Sequence, residues 1–263
     1  MWYKKSFLLA SLTCLSSAYL ASCAPTTDSP SSGSQGNLSL VANGEDFVRQ
    51  GFVSQDGWQI SFDHLYVTLD EVIAYQGDGN TKPIEEVILV GEATTVDLAA
   101  GNEDADPIFV TQIKNVPEGT YNTLAWQLVQ SQDDYAQGYT IVMDGKATKN
   151  DQTVDFVIKV DQPQEYTCGE FVGDERKGIV KGADTAEVEV TLHFDHIFGD
   201  AEAPADEHIN TKSLGFEPLA ALAEAGKLEV DTATLKTALS DADYQTFSAA
   251  VAGLGHVGEG HCD

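Results

Sequence analysis

The sequence predicts a mainly β protein, an antiparallel β-sandwich carrying a small C-terminal helical layer. Three observations predict it. From Leu38 to Phe198, segments rich in Val, Ile, Thr and aromatic residues recur, separated by clusters of Gly, Asp, Asn and Pro. No helical segment intervenes between them, which favours antiparallel pairing over parallel strand–helix units. After Gly199 the apolar spacing changes to that of short helices.

The expected strands lie near 38–42, 46–53, 58–75, 86–98, 107–114, 120–130, 139–149, 153–161, 166–172 and 186–197. Turn signals such as Asp78-Gly79-Asn80, Asp144-Gly145 and Asn150-Asp151 stand between them. Trp58, Ile60 and Phe62 alternate on one face, and Leu65, Val67 and Leu69 resume the pattern one residue out of phase. Because side chains alternate with a period of two, this slip demands a bulge near Asp63-His64 or a crossing from one sheet to the other. In the strand expected at 186–197, Val188, Val190, Leu192 and Phe194 point one way. Glu187, Glu189, Thr191, His193 and Asp195 point the other, with His196 just beyond on the opposite face. Helices are expected at 218–225, opened near Glu217 and closed by Gly226, and at 232–239, capped by Asp231. A third spans 241–252, opened by Ser240 or Asp241 and closed by Gly253.

The first residues read as an export signal. Lys4 and Lys5 precede an apolar stretch from Phe7 to Leu20, too short to span a bilayer. It ends in Leu20-Ala21-Ser22-Cys23, where small residues precede a cysteine, as a lipoprotein peptidase requires. The expectation is cleavage before Cys23, a lipid on its thiol and a cell-envelope location, periplasmic or surface-facing. Residues 1–22 are then the signal peptide and 23–37, rich in Ser, Thr, Pro and Gly, a flexible tether. A β-sandwich domain at 38–199 follows, with a helical extension and a histidine-rich end at 200–263.

Loss of the signal removes two lysines and no acid, taking the formal charge from −28 to about −30. Such a chain repels nucleic acid and anionic lipid and attracts cations, although acidic surfaces are also routine in salt-adapted proteins. Cys14 leaves with the signal and Cys23 carries lipid, so Cys168 and Cys262 are expected to pair in an oxidising compartment. Closing a loop of roughly 95 residues contributes about 4 kcal/mol in the chain-entropy account.

Two segments carry a family resemblance. Asp56-Gly57-Trp58-Gln59-Ile60-Ser61-Phe62-Asp63-His64-Leu65-Tyr66-Val67-Thr68-Leu69 resembles the early strand of prealbumin-like bacterial lipoprotein domains. Val116-Pro117-Glu118-Gly119-Thr120-Tyr121 resembles their Val-x-x-Gly-x-Tyr turn, in which glycine supplies a permissive backbone and tyrosine pins the strand end. The chain is similar, over residues 40–200, to periplasmic copper-binding proteins of methanobactin operons. The resemblance implies a sandwich fold and metal binding.

Five of the six histidines fall in the last 71 residues: His193, His196, His208, His256 and His261; His64 stands alone at the strand defect. Neutral imidazole offers a lone pair to zinc or copper at pH 7, and neighbouring carboxylates complete or orient such a site. Asp195, Asp200, Asp206, Glu207, Glu259 and Asp263 all lie near these histidines in sequence, with Asp195 and Glu259 the candidate ligands among them, and glycines at 253, 255, 258 and 260 let the terminal loop close around an ion. Met143 is the only methionine after the signal, which disfavours a copper(I) thioether site. The acidic runs Asn102–Asp106 and Asp200–Glu207 offer oxygens to calcium but lack EF-hand spacing and read as solvated loops. No Gly-x-Ser-x-Gly, His-Glu-x-x-His, P-loop or dinucleotide fingerprint is present. The expected function is therefore non-catalytic capture, buffering or delivery of zinc or copper. The alternative is a sandwich that binds a glycan or an envelope protein partner, and a metallohydrolase ranks third.

Overall fold

The computed structural model describes residues 34–77, 84–169, 178–257 and 260–262, with Gly260 and His261 as backbone only. The signal peptide, Cys23, Glu259, the turn at 78–80 and the end of the strand expected at 166–172 lie outside the described residues. In chain order the elements are β1 (Gln35–Asn43), α1 (Asp46–Gln50), β2 (Phe52–Val53), β3 (Gln59–Gln76), β4 (Glu85–Val90), β5 (Thr94–Asp97), β6 (Ile108–Pro117) and β7 (Gly119–Leu128). There follow β8 (Ile141–Lys149), β9 (Gln152–Val160), β10 (Gln164–Gly169), β11 (Ile179–Val180), β12 (Thr185–Leu192), α2 (Asp195–Phe198), α3 (His208–Thr211) and α4 (Glu217–Ala220). The chain closes with β13 (Lys227–Asp231), α5 (Thr232–Ala238), α6 (Asp241–Ala252), β14 (Gly255–Val257) and β15 (Gly260–His261).

The strands form a sandwich of two sheets, as the sequence predicts. The smaller runs β15-β14-β12-β1-β6; the larger runs β10-β7-β3-β8-β9-β13, with β2, β4 and β5 also paired to β3 and β11 to β7. Leu38 and Leu40 from β1, Val188, Val190 and Leu192 from β12, and Leu65, Val67 and Leu69 from β3 are all fully buried in one cluster between the sheets. No helix among the described residues is long and apolar enough to cross a membrane.

The bulge lies where the hydrophobic pattern slips. The β3–β8 register shifts between Phe62 and His64, so Ile60 and Leu65 are both buried although five positions apart. The Gly119 turn also behaves as read. Gly119 takes φ 154°, where a Cβ would strike the Gln76 side chain, and the Tyr121 hydroxyl donates to the Pro117 carbonyl at 3.0 Å.

Several expected elements are corrected. The strand expected at 46–53 is one helical turn, α1, followed by the short β2. Arg49 on that turn donates to the carbonyls of Ala100, Ala105 and Asp106 at 3.0, 2.7 and 3.2 Å, which fixes it as a connector to the 100–106 loop. The strand expected at 86–98 is divided into β4 and β5, both paired to β3. β1 begins at Gln35, inside the segment read as tether, because its backbone pairs on both edges, with β12 and β6. The strand expected to run to residue 197 stops at Leu192 and gives way to α2. His193 and Asp195 are therefore not alternate residues on one strand face.

In the C-terminal part the helix expected at 218–225 is only the single turn α4, whereas α5 and α6 are capped as expected. The Asp231 carboxylate accepts from Thr234 N–H at 2.8 Å, and the Ser240 hydroxyl accepts from Asp243 N–H at 3.2 Å. It does more than form a helical layer, however. β13 extends the larger sheet in parallel with β9, and β14 and β15 extend the smaller one beyond β12. Asp56 fastens it by accepting from the N–H groups of Phe216 and Glu217 at 2.8 and 2.6 Å, while Trp58 and Lys149 donate to Glu217 at 2.9 and 2.6 Å. The expected Cys168–Cys262 disulfide is present, with Cα atoms 4.4 Å apart, and it joins β10 of the larger sheet to the chain just past β15 of the smaller.

Candidate metal centre

At the end of β12 three histidines meet. Thr191 pairs with His256 in the β12–β14 ladder, which places β14 beside the end of the strand. His193 N–H then donates to the Leu254 carbonyl at 2.9 Å, holding the chain against β14 for one more step. The backbone next turns. His196 N–H donates to the His193 carbonyl at 3.2 Å, and Gly199, at φ 71°, closes the turn through the Asp195 carbonyl at 2.6 Å. A single helical turn thus returns His196 to the side of His193, which a continued strand would have prevented.

One ring nitrogen from each of His193, His196 and His256 lies within 4.8 Å of the other two. The rings of His193 and His256 stack at 4.0 Å, and His196 stands 5.5 and 5.0 Å from them. Nitrogens sharing a tetrahedral ion with bonds of about 2.0–2.1 Å sit about 3.4 Å apart, so small ring rotations close the site. The position of β14 is fixed from outside. Gly255 lies where a Cβ would enter the Tyr166 ring, and the Tyr166 hydroxyl donates to the Val251 carbonyl at 3.2 Å. His256 follows at 3% exposure, while His193 and His196 are half-buried.

The electrostatics suit a neutral, ligating imidazole. His196 Nδ1 lies 2.9 Å from the Gly253 carbonyl. A carbonyl only accepts, so Nδ1 carries the proton and the lone pair sits on Nε2, the orientation familiar from metal-binding histidines. Burial above all lowers the His196 pKa, assisted by the charge of His208 and opposed by the Gly253 carbonyl. Asp195 Oδ1 stands 3.9 Å from His193 Nδ1. Burial pushes the Asp195 carboxyl up to about 6, against the pull of nearby backbone N–H groups.

Other sequence-predicted residues lie elsewhere. His64 is turned outward by the bulge on the larger sheet, where its Nδ1 meets Asp97 Oδ2 at 2.8 Å. That hydrogen bond is the main reason its pKa is raised. His208 begins α3 and lines a groove next to His196 but is not among the three clustered rings. His261 is opposite His256 in the β14–β15 ladder, its side chain being outside the described part, as is all of Glu259. The two acidic runs are organised by protein groups: Arg49 takes the carbonyls of the first. In the second, Asn210 accepts from Asp200 N–H at 2.8 Å and donates to the carbonyls of Asp200, Ala203 and Pro204.

Sequence reasoning missed Glu45. Its Oε1 is 3.7 Å from His193 Nε2, and its backbone, at φ 63° and ψ 171°, occupies a region nearly restricted to glycine. The Asn43 side chain holds that conformation by accepting from Glu45 N–H at 3.0 Å. The signal is the strained residue itself, which only a structure displays. No protein-family model, curated protein or solved structure matches this chain.

Proposed function

We propose that the protein is a non-catalytic, lipid-anchored component of the cell envelope that captures, buffers or delivers zinc or copper through His193, His196 and His256. The observation that carries this reading is the convergence of three ring nitrogens within 4.8 Å, one ring being oriented by a backbone carbonyl. An all-imidazole donor set suits zinc or copper(II) and is poor for calcium or magnesium. The resemblance to prealbumin-like copper-binding lipoproteins and the cysteine at the end of an export-type leader support the same reading. The disulfide is in keeping with an oxidising compartment.

The test is elemental analysis of untagged protein, followed by titration with zinc and with copper(II). Wild type is expected to bind one equivalent. His193→Asn and His196→Ala, both at half-buried positions, are each expected to weaken binding by 100-fold or more without loss of the thermal transition. Unchanged affinity in both variants would refute the assignment.

A second reading, recognition of a glycan or protein partner, has one observation in its favour. His64, Tyr66 and Tyr135 form a run of rings at 5.2 and 4.5 Å on the larger sheet, with Tyr135 mostly exposed. Oligosaccharide binding that is lost in Tyr135→Ala would favour it.

A further inference from the structure

A groove of about 610 Å³ runs between α3 and α6 and opens against His196. Its composition is unusual for this chain, which holds 42 acidic residues against 14 Lys and Arg. None of the eleven residues lining the groove is acidic, and His196, His208 and Lys212 all contribute nitrogen-bearing side chains. Gln245 and Thr246 add polar groups that can donate hydrogen bonds, and exposed Ala249 leaves room beside them. A cavity of this size accepts a small organic molecule. Lys212 gives it a positive charge with no acidic residue in the lining, which favours an anion here over the rest of the surface, where the field repels one. His196 belongs at once to the groove wall and to the histidine cluster, and is the one member of the cluster that lines the groove.

We propose that the groove binds a small organic carboxylate that bridges Lys212 and the ion held by the three histidines, so that the metal is taken up and given back as a carboxylate chelate. The proposal rests on the metal-binding reading above. Three imidazoles leave a tetrahedral ion one open position. A carboxylate oxygen fills it by displacing water, with no change in oxidation state. A second carboxylate on the same molecule then meets the Lys212 ammonium, and the apolar wall of α6 covers its carbon chain.

The experiment uses zinc and citrate, since citrate can ligate through some of its carboxylates and extend another. Equilibrium dialysis of radiolabelled citrate is run against zinc-loaded and metal-free protein, and zinc affinity is measured separately in carboxylate-free buffer. Lys212→Glu reverses the groove's charge, and Ala249→Trp fills it from an exposed position. Wild type loaded with zinc is expected to retain one citrate, and metal-free protein at least tenfold less. Both variants are expected to lose citrate retention by tenfold or more while binding zinc as wild type does. If wild type binds no zinc, the metal reading and this proposal fall together. If zinc binds but citrate is not retained, or both variants retain it undiminished, the groove proposal alone is overturned. Equal retention by metal-free protein likewise overturns it, since the ion would then have no part in holding the anion.

Discussion

Glu45 is the residue whose conformation is hardest to account for by stability alone. A side chain at φ 63° and ψ 171° costs of order 1–3 kcal/mol relative to glycine. Its carboxylate is delivered to within 3.7 Å of His193, so the strain reads as the cost of placing a negative charge beside the cluster. Glu45→Gly is therefore expected to raise the stability of the metal-free protein by about 1 kcal/mol, a Tm increase of about 2–4 °C for a domain of this size. Zinc affinity should fall at the same time, by about tenfold. Calorimetry and zinc titration check the pair of effects, and a fall in both stability and affinity would show that Glu45 is merely structural. The residue scale also shows how far the sequence could be read. His193, His196 and His256 were visible as imidazoles crowded toward the chain's end. His64 was the weaker candidate, a lone histidine being more often structural, although nothing at the bulge named Asp97 as its partner. Glu45 was not visible, being one acid among 42 until its backbone angles are known.

At the scale of elements, the decisive event is the conversion of an expected strand end into the single turn of α2. Alternation through Val188, Val190, Leu192 and Phe194 continues unbroken, and all four side chains are buried. The pattern therefore holds no signal that the strand stops at Leu192. The buried trio Phe194, Ile197 and Phe198 has the i, i+3, i+4 spacing of a helix, but one turn is too short for that periodicity to compete with the longer alternation before it. The β14–β15 pair was missed for a related reason, since a three-residue glycine-containing strand gains its structure from β12 and Tyr166 rather than from its own propensity. The disulfide acts at this scale too. It anchors the far side of the hairpin that carries His256 to β10, across the sandwich. Replacing both cysteines with alanine is expected to lower stability by about 2–5 kcal/mol. It should also weaken zinc binding about tenfold, by letting β14 fray from β12. The wild-type protein after reduction should match the variant in zinc titrations. Undiminished affinity in both would show that β12 alone holds β14 in place.

For the molecule as a whole, the sandwich was legible because burial of one face of a sheet writes itself into the alternation of its strands. Connectivity was not. The pattern of a buried strand is the same whether its neighbour runs parallel or antiparallel, and two ladders, β1 with β12 and β9 with β13, are parallel. The histidine cluster depends on the first of these. Asn37 and Thr185, partners at its start, are 148 residues apart in sequence. Pairings of such separation form slowly, since the chain entropy of closing so large a loop must be lost before any contact is gained. The larger sheet, built around the β3–β7, β3–β8 and β8–β9 ladders, has shorter distances to close. Trp58 and Trp126 both report on that sheet, one just before β3 and the other within β7. A refolding chain should accordingly show a fast tryptophan fluorescence change, followed by a slower one as the C-terminal part docks on Trp58 through Phe216 and Glu217. Competence to take zinc from a chromogenic chelator should appear only with that slower phase. Recovery of that competence with the fast fluorescence change in stopped-flow mixing would contradict this order of assembly. A newly made chain would then pass through an interval in which it is compact yet indifferent to metal, and the three imidazoles would become a site only when its first strand has found its twelfth.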